Sequence, residues 1–534
     1  MANVEAIDQA PASSPLATHK GSGWFSILAG AVIVLGIIYA GWHLASDLTI
    51  VRDTRAYPFV LLGVALLIAL GFEFVNGFHD TANAVATVIY THSMPANLAV
   101  VWSGSFNFLG VLFSTGAVAF GIVSLLPVEL ILQVGSGAGF AMVFALLLAA
   151  ILWNLGTWYF GLPSSSSHTL IGSIIGVGLM NQLLAAAGSG TSGVDWGQAT
   201  KIGQTLLLSP LIGFSLAWLL LTILKAVVRV PALYREPVGN QPPPWWIRIL
   251  LILTCTGVSF FHGGNDGQKG MGLIMLILIG TVPTAYALNR TMHEQDVTRF
   301  VAASTQAQTA LSHYTDANPP APADVRESAL QVVRSRSVDA HGLAAMAALS
   351  KTIAAQVGEY GSLDKVPADS VVNIRNEMYL MSEGLRFLGK SKIAVSAEDK
   401  GILADYKSQL DHSTKFIPSW VKVAVAIALG LGTMIGWKRI VVTVGERIGK
   451  THLTYAQGAS AEIVAMATIG AAEMYGLPVS TTHVLSSGVA GTMVANRSGL
   501  QWSTVRNLLM AWVLTLPVSI VLAGGLYWLL RTVL

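Results

Sequence analysis

One long stretch of this chain carries no basic side chain. Positions 56 to 200, a run of 145 residues, contain neither lysine nor arginine, and only four acids: Glu73, Asp80, Glu129 and Asp195. Average soluble domains are about one quarter charged, so such a stretch is not an ordinary water-exposed surface. Apolar runs of about 20 residues, enough to cross a hydrocarbon core of about 30 Å as helices, recur along the chain. The sequence therefore predicts an all-α integral membrane protein.

The first apolar run, residues 25–44, has the position of a signal peptide. It is as long as a full span, and no small-residue cleavage site follows it before Asp47, so we predict a retained helix. Further spans are predicted within residues 57–74 and 98–126. The net charge of +3 is small and scattered, which argues against nucleic acid as a partner. The single Cys255 excludes an internal disulfide and a cysteine-rich metal cluster.

Composition changes sharply between residues 288 and 415. That segment holds 14 Lys or Arg and 15 Asp or Glu, and parts of it space apolar residues three and four apart. We predict a soluble helical insert outside the bilayer, whose side and role the sequence leaves open. The predicted domains are an N-terminal tail (1–22), a first membrane half (23–246), the start of a second half (247–287), the insert (288–415) and the remainder of the second half (416–534).

Two motifs occur twice, in the same order: "NGFHDTANA" at 76–84 and "HGGNDGQKG" at 262–270, then "GLPSSSSHTLIGSIIGVG" at 161–178 and "GLPVSTTHVLSSGVAGTM" at 476–493. This pairing sets Asp80 against Asp266 and His168 against His483. Asp266 and His483 lie 129 residues further apart in sequence than Asp80 and His168 do, and this difference is close to the length of the predicted insert. Repeated membrane halves with interrupted helices in matching positions mark secondary transporters, whose site lies near the midplane. We predict a transporter with broken helices at the Asp80 and Asp266 motifs.

The repeated motifs supply the groups that an anion site needs. Unpaired backbone groups cost several kcal/mol in hydrocarbon, so a helix can break only where protein, ligand or water meets them. Helix N-termini attract anions, and hydroxyls add donors beside the free amides. If the two Gly-Leu-Pro hairpins face each other, they surround one tetrahedral oxyanion with donors. The hydroxyl residues are Ser165, Ser166, Ser167, Ser480, Thr481 and Thr482.

Ionisable groups inside the predicted spans are functional candidates, because burying them is costly. Asp80 and Asp266 can accept the proton that hydrogen phosphate carries and sulfate lacks, which favours phosphate. The same carboxylates could bind a coupling proton or cation, or a divalent metal that travels with phosphate. Lys269 either pairs with Asp266 or neutralises the ligand. The further candidates for the coupling ion are Glu73, Glu462, His168 and His483.

These motifs resemble the inorganic phosphate transporter family, and most closely its bacterial low-affinity symporters. "WNLGTWYFG", "LGTMIGWKRI" and "TYAQGASAE" extend the resemblance over both halves. It implies inverted repeats with two re-entrant hairpins, a homodimer in the inner membrane, and proton-coupled uptake of inorganic phosphate, partly as a neutral complex with a divalent cation such as Mg²⁺. No resident cofactor is implied. The site residues it implies are Asp80, Asn83, Ser165, Asn265, Asp266, Ser480 and the acid Glu462, to which we add Thr81, Gln268 and Lys269 from the same motifs.

Three departures from the family pattern bear on the coupling ion. His79 and Lys269 each replace an asparagine, and Asn107 stands where sodium-coupled relatives carry an acid. These changes favour protons, and the alternative is sodium-coupled symport of phosphate or another oxyanion. An intramembrane hydrolase is disfavoured because no Gly-x-Ser-x-Gly elbow is present and a single nucleophile has no use for duplicated motifs. A channel is disfavoured because buried acids beside hydroxyls suit a site that occludes and releases.

Overall fold

The computed structural model describes residues 23–49, 56–80, 82–132, 135–185, 193–237, 239, 241–292, 294–315 and 324–533. Helices account for the regular structure in these segments, where strand pairing is limited to a single bridge between Gly449 and Leu500. The predicted all-α class is confirmed.

The α-helices of the described chain, in order, are α1 (Gly23–Leu48), α2 (Ala56–Asp80), α3 (Ala82–Tyr90), α4 (Ala96–Phe113), α5 (Ala117–Val123), α6 (Val128–Leu132), α7 (Gly137–Tyr159), α8 (Ser166–Leu184), α9 (Trp196–Val227), α10 (Trp245–Thr281), α11 (Pro283–Tyr286), α12 (Glu294–Ser312), α13 (Val325–Ser335), α14 (Ala340–Tyr360), α15 (Ala368–Leu388), α16 (Ala397–Thr414), α17 (Ser419–Met434), α18 (Lys438–Val442), α19 (Tyr455–Met474), α20 (Thr481–Ala495) and α21 (Trp502–Val533). Short 3₁₀ turns lie at Pro231–Tyr234 and Leu363–Lys365, and a π-helical turn lies at Thr443–Arg447.

Seven helical stretches of the described residues are long and apolar enough to cross a membrane. They are α1, the combined α2 and α3, α4, α7, α9, α10 and α21, and the pair α16 and α17, bent by 73°, offers an eighth. The apolar run 98–126 is not one helix, because α4 ends at Phe113 and Gly116 turns the chain with a φ of +87° before α5. The lengths and apolar character of these helices are those of a multi-pass membrane protein.

The structure tests the predicted helix breaks only in the second aspartate motif. In the first motif α2 ends at Asp80 and α3 begins at Ala82, and residue 81 between them lies outside the described residues, so the break predicted there stays a prediction. The break predicted in the second motif, residues 262–270, is wrong. α10 passes through it without interruption, and the whole motif is helical.

Close packing explains the glycines of the unbroken second motif. A Cβ atom at Gly263 would lie 2.1 Å from the carbonyl oxygen of Asn107, and one at Gly270 would lie 2.3 Å from Oε1 of Glu73. Small residues at helix interfaces let backbones approach closely, as is common in membrane proteins. The glycines therefore bring α10 against α4 and α2 instead of unwinding it.

The two Gly-Leu-Pro motifs form the same turn. Gly161 and Gly476 have φ angles of +66° and +63°, in the left-handed region that glycine adopts without steric cost. Ser165 and Ser480 then act as N-caps of α8 and α20, each accepting a 3.2 Å hydrogen bond from the backbone N–H of the histidine three residues later. Such caps satisfy one of the free amides at a helix start.

Each of the helices that follow the Gly-Leu-Pro motifs packs against a long helix distant in sequence. α8 lies along α21, and α20 lies along α9. α9 and α21 each have 32 residues and an internal proline, Pro210 in the one and Pro517 in the other. This packing brings the N-termini of α8 and α20 close to each other.

Helices α12 to α16 (Glu294–Thr414, called here the charged segment) dock on the membrane helices through ion pairs. Arg334 Nε lies 3.0 Å from Oε1 of Glu129, and an Arg386 nitrogen lies 3.0 Å from Oδ2 of Asp195. Two of the four acids in the stretch without basic residues are therefore partners of the charged segment. The other two lie deep among the membrane helices.

Candidate functional site

Asp80 and Asp266 lie side by side and share one hydroxyl group. Oγ of Ser166 is 3.1 Å from Oδ2 of Asp80 and 3.2 Å from Oδ2 of Asp266. These residues come from the end of α2, the middle of α10 and the first position of α8, and all three are buried. One hydroxyl carries one hydrogen, so Ser166 can donate to only one carboxylate at a time.

Both hairpins reach this pair of aspartates. Thr482, in the first turn of α20, donates to Oδ1 of Asp80. Ser167 donates to a backbone carbonyl of the second hairpin at 2.8 Å, and the rings of His168 and His483 contact each other, tilted by 39° with their centroids 4.6 Å apart. The structure thus places the two serine- and threonine-rich helix starts against each other, beside the carboxylates.

The basic side chain of Lys269 contacts the paired aspartates. Nζ of Lys269 is 2.7 Å from Oδ2 of Asp266, and this side chain is fully buried. Glu73 approaches from α2, where its Oε1 accepts a 2.7 Å hydrogen bond from the N–H of Gly270, and its Oε2 has no partner among the described residues. Three acidic side chains, Asp80, Asp266 and Glu73, thus lie around one lysine, an arrangement that suits a bound proton or cation.

The sequence reading missed His262 as a site residue. Its Nε2 lies 3.9 Å from Oδ2 of Asp80 and 3.7 Å from Oδ2 of Asp266, without a hydrogen-bond partner in the described chain. It precedes Asp266 by four residues, one helical turn. That spacing would have placed it beside Asp266 had a continuous helix been predicted there.

A chain of hydrogen bonds sets the tautomer of His262. Thr433 donates to a carbonyl of its own helix at 2.9 Å, so its oxygen accepts from Nδ2 of Asn107, also at 2.9 Å. The Asn107 oxygen then faces Nδ1 of His262 at 3.0 Å and requires a proton there. With Nδ1 protonated, Nε2 faces the two carboxylates either as an N–H of the imidazolium or, in the neutral ring, as a lone pair that a cation can bind.

Asp80, His262 and Asp266 form a set of metal-ligand type. Their donor atoms, two carboxylate oxygens and one imidazole nitrogen, all lie within 4.8 Å of one another. Histidine ligands usually donate their second nitrogen to a carbonyl or carboxylate, as His262 does to Asn107. A mixed nitrogen and oxygen set suits divalent cations such as Mn²⁺ or Zn²⁺, whereas Mg²⁺ prefers oxygen alone. The geometry therefore offers a cation site at the paired aspartates.

Several other residues predicted to bind substrate form hydrogen bonds between the helices and hairpins around the site. Nδ2 of Asn265 donates to a carbonyl of the second hairpin at 3.1 Å, and Oε1 of Gln268 accepts the N–H at the start of α5 at 2.9 Å. Ser165 and Ser480 use their oxygens as caps, which leaves each O–H able to donate elsewhere. Thr481 is buried in the first turn of α20. Two predicted contacts fall outside what the structure describes, namely Thr81 and the side chain of Asn83.

Glu462 lies apart from the paired aspartates. It is buried on α19 and accepts a hydrogen bond from Thr254 of α10, 12 residues and about 18 Å along the helix axis from Asp266. His79 lies next to the site, with Nδ1 3.4 Å from Oδ1 of Asp80 and Nε2 3.1 Å from the hydroxyl of Thr157. The site therefore includes a second histidine that the sequence marked only as a departure from the family pattern.

Known proteins match this chain over nearly its whole length. The model of the phosphate transporter family matches residues 76–523. The low-affinity inorganic phosphate transporter PitB of Escherichia coli (strain K12) is 44% identical over 490 residues, which cover 89% of this chain and 97% of that protein. PitA of the same organism is 45% identical over 490 residues, which cover 88% of this chain and 96% of that protein. The probable low-affinity inorganic phosphate transporter of Bacillus subtilis (strain 168) is 30% identical over 478 residues, 89% of this chain and 99% of that protein. A solved structure described as the sodium-dependent phosphate transporter is 19% identical and covers 89% of this chain and 100% of its own, with a TM-score of 0.49.

Proposed function

This chain belongs to the phosphate transporter family, and from that premise we propose that it takes up inorganic phosphate in symport with protons, partly as a complex with a divalent cation. Its relatives are named as transporters and not as enzymes, and the chain is a multi-pass membrane protein. The observation that carries the proposal is the pair Asp80 and Asp266, bridged by Ser166 where the two hairpins meet.

Hydrogen phosphate matches the donors and acceptors of this site. Its P–OH group can donate to Asp80 or Asp266, displacing the shared Ser166 hydroxyl. Its remaining oxygens can accept from Ser166, from Thr482 and from the free amides at the starts of α8 and α20. Lys269 can turn from Asp266 to the anion. Sulfate has no proton to donate, so it would leave a buried carboxylate facing its oxygens, which is costly.

Charge balance supports co-transport of a cation. The two aspartates and Lys269 carry a net charge of −1, and a phosphate dianion added alone would make a low-dielectric site strongly negative. A divalent cation and a proton bring the sum to zero, which reduces the cost of moving the complex through the membrane. Asp80, His262 and Asp266 are the residues that would hold the cation, with phosphate oxygens completing its coordination.

Glu73 is the acid best placed to exchange the coupling proton. It contacts the backbone beside Lys269, and one of its oxygens has no partner among the described residues. Glu462 faces Thr254 further along α10 and would act at a separate step. His168 and His483 contact each other at the starts of α8 and α20, where each leaves a ring nitrogen without a described partner.

The matched turns, caps and helix packing support two halves related by an inverted repeat. In this proposal the halves span residues 23–246 and 247–534, the second interrupted by an insert at 288–415, and a tail occupies 1–22. The proposed re-entrant hairpins are those whose turns lie just before the caps Ser165 and Ser480. The homodimer and the inner-membrane location implied by the resemblance stay predictions.

Uptake of radiolabelled phosphate into proteoliposomes tests the proposal. We expect accumulation when an inward proton gradient is imposed in sodium-free buffer, stimulation by Mn²⁺, Zn²⁺ or Mg²⁺, and little competition by sulfate. The order of the three metals reports whether His262 contributes a ligand. Accumulation that requires an inward sodium gradient, persists without a pH gradient and ignores chelation would favour the sodium-coupled alternative instead.

A further inference from the structure

The charged segment buries one arginine without a counter-charge. Arg375, on α15, is only 7% exposed. Its guanidinium donates to the carbonyl of Ile131 at 3.4 Å and to the side chain of Asn376 at 3.1 Å, while its Nε has no partner in the described chain. Burial lowers the pKa of this guanidinium, and its ionisable neighbour is the phenol of Tyr379. A buried cation without a partner anion is energetically unfavourable, and a bound anion would stabilise it.

Arg375 lies between two cavities. The smaller, of about 40 Å³, also touches Tyr379, Glu383 and Lys415, and the larger, of about 210 Å³, lies between α15, the start of α7 and the end of α10. A cavity needs about 10–15 Å³ to hold one water, so the smaller one admits about three. That space is smaller than the four oxygens of phosphate require, whereas the larger cavity, which Arg375 also lines, has room for them.

The other charged groups of the smaller cavity already have partners. Glu383 pairs with Arg386 at 2.6 Å, and Lys415 pairs with Asp411 at 2.8 Å. Arg375 is therefore the cation in excess among the described residues that line this cavity. An anion entering the cavity would neutralise it.

The smaller cavity lies further along α10 from the paired aspartates. Its wall begins at Gly272, six residues and about 9 Å beyond Asp266 along the helix axis, and ends at Ile279. α5 also lines the cavity, and its first turn is bonded to Gln268 beside the site. The residues contributed here are Phe120 and Val123 of α5 and Ser124, the C-cap that follows it.

We propose that Arg375 and the two cavities it lines form a second phosphate-binding station, between Asp266 and the face of the molecule covered by the charged segment. The inference rests on the proposed function and names a further site for the same substrate. The phosphate oxygens bind the free Nε–H of Arg375 and then pass to Lys269. The charged segment thus takes part in transport and is not only a cover.

Replacement of Arg375 by methionine separates transport from docking. Arg375→Met keeps the length and removes the charge, so we expect a melting temperature at or above that of the wild type. The KM for phosphate in proteoliposomes should rise about tenfold or more, as expected for loss of a charged hydrogen bond. Arg375→Lys should recover part of the loss. Arg326→Met, at an exposed arginine of α13 that lines neither cavity, is the matched control and should change neither quantity.

Direct binding distinguishes this station from the paired aspartates. In Asp266→Asn protein, inorganic phosphate should still raise the melting temperature, and Arg375→Met added to that variant should remove the effect. A lower melting temperature with an unchanged KM in Arg375→Met would show a docking residue and overturn the station. Absence of phosphate uptake by the wild type would instead overturn the proposed function, while the binding measurement would still decide on Arg375.

Discussion

At the scale of single residues, the site depends on two carboxylates that cannot both receive the one hydroxyl between them. Asp80 has a further donor in Thr482 and lies 3.4 Å from Nδ1 of His79, whereas Asp266 has Lys269. The two aspartates that the sequence repeat aligns are therefore not equivalent in their contacts. In the proposed mechanism Lys269 turns from Asp266 to phosphate, so we expect Asp266 to receive the hydrogen bond from the P–OH group.

Loss of either carboxylate should stop transport. Asp80→Asn and Asp266→Asn preserve shape but remove a proton acceptor and a cation ligand, so we expect phosphate uptake in proteoliposomes to fall to background in both. Glu129→Gln makes the same chemical change at an acid that pairs with Arg334 outside the site, and should retain most of the uptake. Uptake near the wild-type rate in either asparagine variant would remove that residue from the mechanism.

The orientation of His262 should control the affinity for the cation. Asn107→Leu removes the carbonyl that holds the proton on Nδ1, and loss of such a supporting group typically costs about 10- to 100-fold in metal affinity. We expect that loss in titrations of Mn²⁺-stimulated uptake, with the phosphate KM restored at saturating Mn²⁺. Thr433→Ser keeps the acceptor for Asn107 and serves as the control. Equal Mn²⁺ affinity in Asn107→Leu and wild type would exclude this role.

At the scale of helices, α8 and α20 each begin with a serine cap, and we propose that the O–H of each cap also contacts the ligand. Ser165 and Ser480 accept from a backbone N–H, and their hydroxyl hydrogens remain available. Cap and ligand contact respond differently to substitution. Alanine at an N-cap costs about 1 kcal/mol, whereas glycine costs only a few tenths.

This difference gives a test of the serine hydroxyls. Ser165→Ala and Ser480→Ala should lower the melting temperature and weaken phosphate binding, because a lost hydrogen bond to a charged ligand costs about 1.5–3 kcal/mol. Ser165→Gly and Ser480→Gly should keep most of the stability but weaken binding to the same extent. If the apparent affinity for phosphate is unchanged in all four variants, the serines are caps and nothing more.

At the scale of the whole molecule, ion pairs hold the charged segment on the first membrane half. Burial raises the pKa of Asp195, but the N–H of Gln198 and the charge of Arg386 outweigh this and hold the pKa below its usual value. Folding then stabilises the ionised carboxylate. The contribution is present above the unfolded pKa near 3.9 and is lost as the pH falls through the folded value.

Asp195→Asn should therefore show a pH-dependent loss of stability. At pH 7 we expect this variant to be less stable than the wild type by about 1–3 kcal/mol, because Arg386 loses one of its two acidic partners. The difference in melting temperature should shrink below about pH 4 and vanish when the wild-type carboxyl is protonated. Asp339→Asn changes the cap of α14 inside the charged segment and should leave phosphate uptake unaffected. A difference in stability that does not vary with pH would contradict the ion-pair account of Asp195.

The sequence by itself determined the class of the protein and the local geometry of its motifs. Apolar runs specify membrane helices because hydrocarbon excludes polar side chains. The Gly-Leu-Pro motifs specify their turns because glycine, here Gly161 and Gly476, adopts a positive φ without steric cost. The pairing of Asp80 with Asp266 followed from the internal repeat. All of these depend on a few neighbouring residues or on comparison of the chain with itself.

Only the tertiary structure decided what the glycines, the histidines and the remaining acids do. The glycines of α10 suggested a break, yet they serve contact with Asn107 and Glu73, which lie more than 150 residues away in sequence. His262 became a site residue because α10 is continuous, and Arg375 became a candidate ligand because no described carboxylate faces it. These properties arise from contacts between distant segments, which local patterns do not encode.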